Sequence, residues 1–132
     1  MIRVPDHRTL IEVLLQEHGI DPSILEIVDD VDVRAAVVGY PDPTPNPFRL
    51  ARSIATPSGA FHMLISTEIT DDQIGCAKSS MESDGFRVEV SSLRSEIDFL
   101  RHLVLHEIAF FVLKDCSQER RDRWAFTQMH IP

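Results

Sequence analysis

The spacing of apolar residues near the start of the chain predicts two helices. The apolar residues of segment 10–15 share one helical face, so we expect an amphipathic helix with Asp6 as its N-cap and Gly19 as its stop. The Asp-Pro-Ser sequence at 21–23 is typical of an N-cap followed by a proline in the first helical turn. It predicts a second, short helix that ends near Val28.

The next segments have the composition of β-strands. Residues 31–40 are rich in valine and partly alternate between apolar and polar positions, so they predict a strand. Residues 41–47 carry a proline at every second position, which removes backbone donors and predicts a stiff, extended loop. Residues 48–55 and 60–66 flank a Thr-Pro-Ser-Gly turn, and this arrangement predicts a β-hairpin.

A capping box and an alternating segment follow the hairpin. Thr70 and Gln73 have the spacing of a capping box, which opens a helix that we expect to end near Ser83. Residues 86–90 alternate strictly between apolar and polar side chains. This alternation predicts a strand.

The last third of the chain contains two further segments that we expect to be helices. A second capping box begins at Ser95 and predicts a central helix that ends near Leu113 and packs against the strand 86–90. Ser117 is the expected cap of a last helix, which runs to about Met129. The order of elements predicts an α+β fold with a small mixed sheet, a central helix and a following C-terminal helix.

Composition narrows the class of protein. The chain has 132 residues, of which 43% are hydrophobic, and this fits a single domain spanning residues 1–132. Its 21 acidic and 13 basic residues give a net charge of −8, which argues against nonspecific binding to nucleic acid or to an anionic membrane. Cys76 and Cys116 lack a C-x-x-C spacing, and no signal peptide is recognisable. Charged residues interrupt the longest apolar run, which argues against a membrane span. We therefore predict a cytoplasmic protein with free thiols.

The candidate chemistry lies on the central helix. His102, His106 and Phe110 follow one another at intervals of four residues, so they form one line along the helix, and the two histidines can in principle clasp a metal ion. Two simpler interpretations stay open. Each histidine can be a hydrogen-bonded core residue, and Glu107 can be the buried half of an ion pair with Arg101, Arg121 or Arg123.

The segment His106-Glu107-Ile108-Ala109-Phe110 matches the zinc-peptidase motif H-E-x-x-H except at its last position, where Phe110 replaces the second histidine. In the following helix, Asp122, Trp124 and Ala125 match the pattern E-x-x-A-D-x-F/W-A. Residues 86–129 thus resemble the small zincin-like domains of the ImmA/IrrE type. Their glutamate ligand falls on Gln118, and the nearest carboxylate is that of Glu119. We also expect Trp124, rather than Phe126, to pack on the central helix.

The resemblance implies a zinc site with His106 as a metal ligand and Glu107 as its catalytic base, and His102 and Glu119 are the candidate substitutes for the other two ligands. Catalytic zinc takes three protein ligands and a water molecule, and here two of the three expected ligands are substituted. We therefore expect weak zinc binding or none.

The predicted function is that of a zincin-like domain with a degenerate metal site, without peptidase activity, which acts by binding a protein or peptide. One alternative is an active zinc-dependent peptidase that uses the substitute ligands. The other is an unrelated α+β protein-interaction domain, in which the pair His106-Glu107 is a coincidence.

Overall fold

A computed structural model describes residues 1–44, 46, 49–114 and 117–130. Its contacts fall into two compact units. Residues 2–69 form the N-terminal unit, and Met1 together with residues 70–132 forms the C-terminal unit. The assignment of residues 1–132 to one domain stays a prediction.

The N-terminal unit contains two small sheets and two helices among its described residues. Its elements are β1 (Ile2–Arg3), α1 (Arg8–Glu17), β2 (Leu25–Val28), α2 (Val31–Val37), β3 (Ala51–Ala55), β4 (Phe61–Ser66) and β5 (Glu68–Ile69). The predicted hairpin is confirmed, because β3 and β4 pair antiparallel. β2 pairs parallel with β4, so the sheet β2-β4-β3 is mixed, and β1 pairs antiparallel with β5.

The C-terminal unit is helical throughout its described part. It consists of α3 (Asp71–Ser83), α4 (Arg87–Ser91), α5 (Glu96–Leu113) and α6 (Gln118–Gln128). The side chains of Thr70, Ser95 and Ser117 accept hydrogen bonds from backbone N–H groups in the first turns of α3, α5 and α6, which confirms all three predicted caps. Of the described residues, 57% are helical and 15% lie in strands, and the α+β prediction is confirmed.

Two predicted strands are wrong, because both segments form helices. In α2, Val31 and Ala35 are buried while Val33 is 62% exposed, which is the burial pattern of a helix and not of a strand. In the segment of α4, Phe86 and Val90 are buried and four residues apart. A strand would place Val88 on the same face as this pair, but Val88 is 68% exposed. The predicted packing of the central helix on a strand is wrong for the same reason.

The start of the chain also departs from expectation. Residues Val4–His7 form a 3₁₀ turn that occupies the predicted N-cap position Asp6, and α1 begins only at Arg8. Asp21 caps as predicted, but the 3₁₀ turn that it opens ends at Ile24 and leads into β2 instead of a helix. Pro45 and Pro47 of the predicted stiff loop, Phe48 of the hairpin, and Cys116 lie outside the described residues.

None of the described helices combines the length and the apolar character needed to cross a bilayer.

Candidate metal centre

α5 and α6 of the C-terminal unit pack along each other and bring the candidate residues together. α5 is buried on most of its circumference, including His102, His106 and Glu107. α6 is polar on average and buries only Asp122, Ala125 and Phe126. Asp122 is therefore the charged residue of α6 that is buried.

The packing residue on α6 is Phe126 and not Trp124, which corrects the prediction. Phe126 is 2% exposed, and its ring lies 4.1 Å from the His102 ring and 5.5 Å from the Phe86 ring, centroid to centroid. It follows Asp122 by four residues, so the two share a helical face. Trp124 lies about 160° away from Asp122 around the helix and is half-buried.

Three buried side chains meet at one point. His102 Nε2 and His106 Nδ1 lie 2.9 Å and 2.8 Å from the same oxygen, Asp122 Oδ1. All three residues are less than 9% exposed. The two histidines reach the same carboxylate because they are four residues apart on α5, as the sequence indicated. We refer to His102, His106 and Asp122 as the His-His-Asp cluster.

The electrostatics of the cluster favour an ionised aspartate between two imidazoles. Burial acts to raise the pKa of Asp122, but the hydrogen bonds and charges of His102 and His106 outweigh it and lower that pKa to about 2. Burial lowers the pKa of His102, and the nearby charge of His106 adds to this effect, whereas the bond to Asp122 opposes it. His102 is therefore a neutral ring that donates through Nε2.

The hydrogen bonds fix which ring nitrogens carry protons. An ionised carboxylate only accepts, so the N–H groups at His102 Nε2 and His106 Nδ1 both point at Asp122. In the neutral His102 ring this leaves Nδ1 as an acceptor. It is buried and has no hydrogen-bond partner among the residues that the structure describes.

The cluster can hold a metal ion. One donor atom from each of its three residues lies within 4.8 Å of the other two. Ligand atoms around tetrahedral zinc, at bonds of about 2.0 Å, are about 3.3 Å apart. The observed 2.8 Å and 2.9 Å separations are those of hydrogen bonds. An ion that replaces the two ring protons thus needs each of these two nitrogens to move only about 0.4–0.5 Å away from the Asp122 oxygen.

Glu107 is held by an arginine on α6. Arg121 Nη2 donates to Glu107 Oε2 at 3.2 Å, and Arg121 Nε donates to the His106 carbonyl oxygen at 3.1 Å. The same guanidinium lies over the Phe110 ring, 5.7 Å from its centroid. The ion-pair interpretation of Glu107 is confirmed, with Arg121 as the partner. The catalytic role of Glu107 stays a prediction.

Glu107 also lies beside one of the cluster's rings. Its Oε2 atom is 3.9 Å from His106 Nε2, the nitrogen that does not face Asp122. Metal-bound histidines usually donate their second N–H to a carboxylate or carbonyl group. Glu107 is therefore placed as an outer partner of His106, whereas His102 Nδ1 lacks such a partner in the described structure.

The structure does not bring Glu119 into the cluster. Its side chain is 56% exposed and accepts a hydrogen bond from Arg123 on the same helix. The carboxylate that reaches the histidines is that of Asp122, one turn further along α6, where the helix becomes buried. Asp122 belongs to the matched sequence pattern, but that pattern assigns the ligand role to its glutamate, which falls on Gln118.

A cavity of about 330 Å³ adjoins the cluster within the C-terminal unit. The described residues that line it come from α3, α5 and α6 and include all three members of the cluster, together with Gln118, but not Glu107. A ligand that enters this cavity therefore lies beside the three residues of the cluster, and Glu107, the residue predicted as the base, is not among the described lining residues.

No protein-family model, curated protein or solved structure matches this chain. The helix prediction behind the zincin-like resemblance is confirmed, because His106 and Glu107 lie together on one buried helix. The resemblance itself stays a prediction.

Proposed function

We propose that the C-terminal unit is a zinc-binding module without peptidase activity, in which His102, His106 and Asp122 are the ligands. The observation that carries the proposal is the convergence of three buried donor atoms from two adjacent helices. Two imidazoles and one carboxylate with an open fourth position form a ligand set that suits zinc.

The absence of hydrolysis is proposed from the surroundings of Glu107. A zincin base must reach a metal-bound water, but Glu107 is bound by Arg121 and is not among the described residues that line the cavity. Phe110, where the intact motif has a histidine, contacts the same arginine. We propose that the module works by binding a protein or peptide in the cytoplasm rather than by cleaving it, and the exposed free thiol of Cys76 is compatible with that location.

A metal-free cluster is the competing function, since the short hydrogen bonds to Asp122 satisfy it without an ion. In that case the three residues only join α5 to α6. The two alternatives differ in whether the purified protein binds zinc.

Isothermal titration of the metal-free protein with zinc tests the proposal. We expect one zinc ion per chain, and a loss of at least about tenfold in affinity for His106→Ala and for the isosteric variant Asp122→Asn. Glu119→Gln is the matched control, because it removes an exposed carboxylate on the same helix and should leave zinc affinity unchanged. Circular dichroism establishes that each variant is folded.

Either of two results contradicts the proposal. Structural zinc sites bind the ion with nanomolar or tighter affinity. If the titration shows no binding at zinc concentrations up to about 100 µM, the metal-free cluster is supported. Unchanged affinity in folded Asp122→Asn shows that zinc binds elsewhere. The proposed lack of hydrolysis is tested separately with peptide mixtures, for which we expect no cleavage by the zinc-loaded protein above that by Glu107→Gln.

A further inference from the structure

The cavity beside the cluster faces any ion that the cluster holds. His102, His106 and Asp122 are all among the residues that line it. Zinc bound by three protein ligands keeps one coordination position for water or a ligand. The inference below rests on the proposed zinc site, and it concerns what occupies that fourth position.

The other walls of the cavity are of two kinds. Apolar walls come from α3 and α5, where Met81 and Phe99 are buried and Leu103 is half-buried. The polar groups are the Ser80 hydroxyl, the Gln118 amide and the Asp84 carboxylate. No lysine or arginine is found among the described lining residues.

Asp84 is the charged group that the zinc ligands do not account for. It lies at the C-terminal end of α3, is exposed, and forms no ion pair with any described residue. In the proposed site the charge of Asp122 interacts with the zinc ion, whereas the charge of Asp84 can interact with a ligand. An anionic group at this end of the cavity would be repelled by Asp84, and the net charge of −8 acts in the same direction at longer range.

We propose that the cavity binds a small cationic ligand, which coordinates the zinc ion through one end and places an ammonium group beside Asp84 at the other. Its short apolar body packs against Met81, Phe99 and Leu103, and Gln118 and Ser80 offer hydrogen bonds along the way. The volume of about 330 Å³ lies at the lower end of the range of ligand cavities, which limits the ligand to a small molecule or a single side chain.

Two thiols with the same two-carbon spacer provide the test, because a thiolate coordinates zinc and the group at the other end of the spacer can carry either charge. Cysteamine ends in an ammonium group and 3-mercaptopropionate in a carboxylate. Both are titrated into the zinc-loaded full chain at pH 7.5. We expect cysteamine to bind about fivefold more tightly than 3-mercaptopropionate. Cysteamine gains an exposed charge attraction to Asp84 and avoids the repulsion that 3-mercaptopropionate meets, and interactions of this kind are of that order.

Asp84→Asn should abolish that preference, by weakening cysteamine and strengthening 3-mercaptopropionate. Asp72→Asn is the matched control, because Asp72 is an exposed carboxylate on the same helix that does not line the cavity. It should keep the preference of the natural chain.

The outcomes separate this inference from the proposed function. Equal affinity of the two thiols, a preference that survives Asp84→Asn, or binding of neither thiol overturns the cationic-ligand proposal while zinc binding stands. A chain that takes up no zinc overturns both proposals.

Discussion

Arg121 on α6 holds Glu107 on α5, with Nη2 of the arginine 3.2 Å from Oε2 of the glutamate, and both side chains are largely buried. The arginine also donates to the carbonyl oxygen of His106, so one side chain joins α6 to the backbone and to a side chain of α5. This contact fixes the carboxylate that the zincin-like motif would assign to catalysis.

Removing the arginine should destabilise the fold strongly. Arg121→Met leaves the buried Glu107 without this partner, and we expect a loss of roughly 3–5 kcal/mol in the free energy of unfolding. Urea titration measures it. Arg101→Met on the exposed side of α5 is the control and should cost less than about 0.5 kcal/mol. If both arginine variants lose equally little, the ion pair contributes no stability.

Glu107 should support zinc binding through His106. When zinc takes the Nδ1 position of His106, the proton resides on Nε2, which lies 3.9 Å from the Glu107 carboxylate. Such outer partners strengthen metal binding, so Glu107→Gln should weaken zinc affinity by about tenfold, measured by competition with a chelator. Unchanged zinc affinity in a folded variant would mean that the Glu107 carboxylate pairs with Arg121 and does not support zinc binding by His106.

Phe126 should matter more for stability than Trp124, although tryptophan is the larger residue. Phe126 is buried against Phe86 and His102, so Phe126→Ala should cost roughly 3–5 kcal/mol. Trp124 is half-buried, and we expect Trp124→Ala to cost at least about 1 kcal/mol less. A larger loss for the tryptophan variant in chemical denaturation would show that the opposite face of α6 packs on α5.

Acid should destabilise the metal-free protein through the cluster. The pKa of Asp122 is lowered from 3.8 to about 2, so its stabilising contribution is complete above pH 4 and is lost as the pH falls towards 2. The contribution is roughly 2 kcal/mol. The lowered pKa of His102 acts with the same sign, because the folded protein resists protonation of this ring as the pH falls below about 6.5.

The pH effect is measured by comparing the natural chain with Asp122→Asn. Unfolding free energies at several values between pH 7 and pH 2.5 should fall more steeply for the natural chain in the range below pH 4. Parallel profiles would indicate that the Asp122 carboxylate is not hydrogen-bonded as described.

Local signals in the sequence specified the starts of α3, α5 and α6 and part of the site. Thr70, Ser95 and Ser117 were recognisable as caps because a cap depends on residues within one turn of each other. The two histidines were found for a similar reason, since spacing along one helix sets their common direction. Asp122 depends on how α6 packs against α5, and no spacing along the chain encodes that contact.

The two strands predicted in place of α2 and α4 have one physical origin. The segments of α2 and α4 contain β-branched or alternating residues, but each buries a pair of residues four apart. Such short patterns fit a strand and a single helical turn equally well, and packing in the folded protein decides between them. Asp30 is a local signal for the helix α2, because its side chain accepts a hydrogen bond from Val33 N and caps the first turn.

A crystal structure of the zinc-loaded protein, with an anomalous difference map at the zinc edge, locates the metal ion itself. We expect a single peak about 2.0–2.2 Å from His102 Nε2, His106 Nδ1 and an Asp122 carboxylate oxygen, with Glu107 still bound by Arg121. A peak coordinated by Glu107 or Glu119, or no peak within the His-His-Asp cluster, would contradict the proposed zinc site.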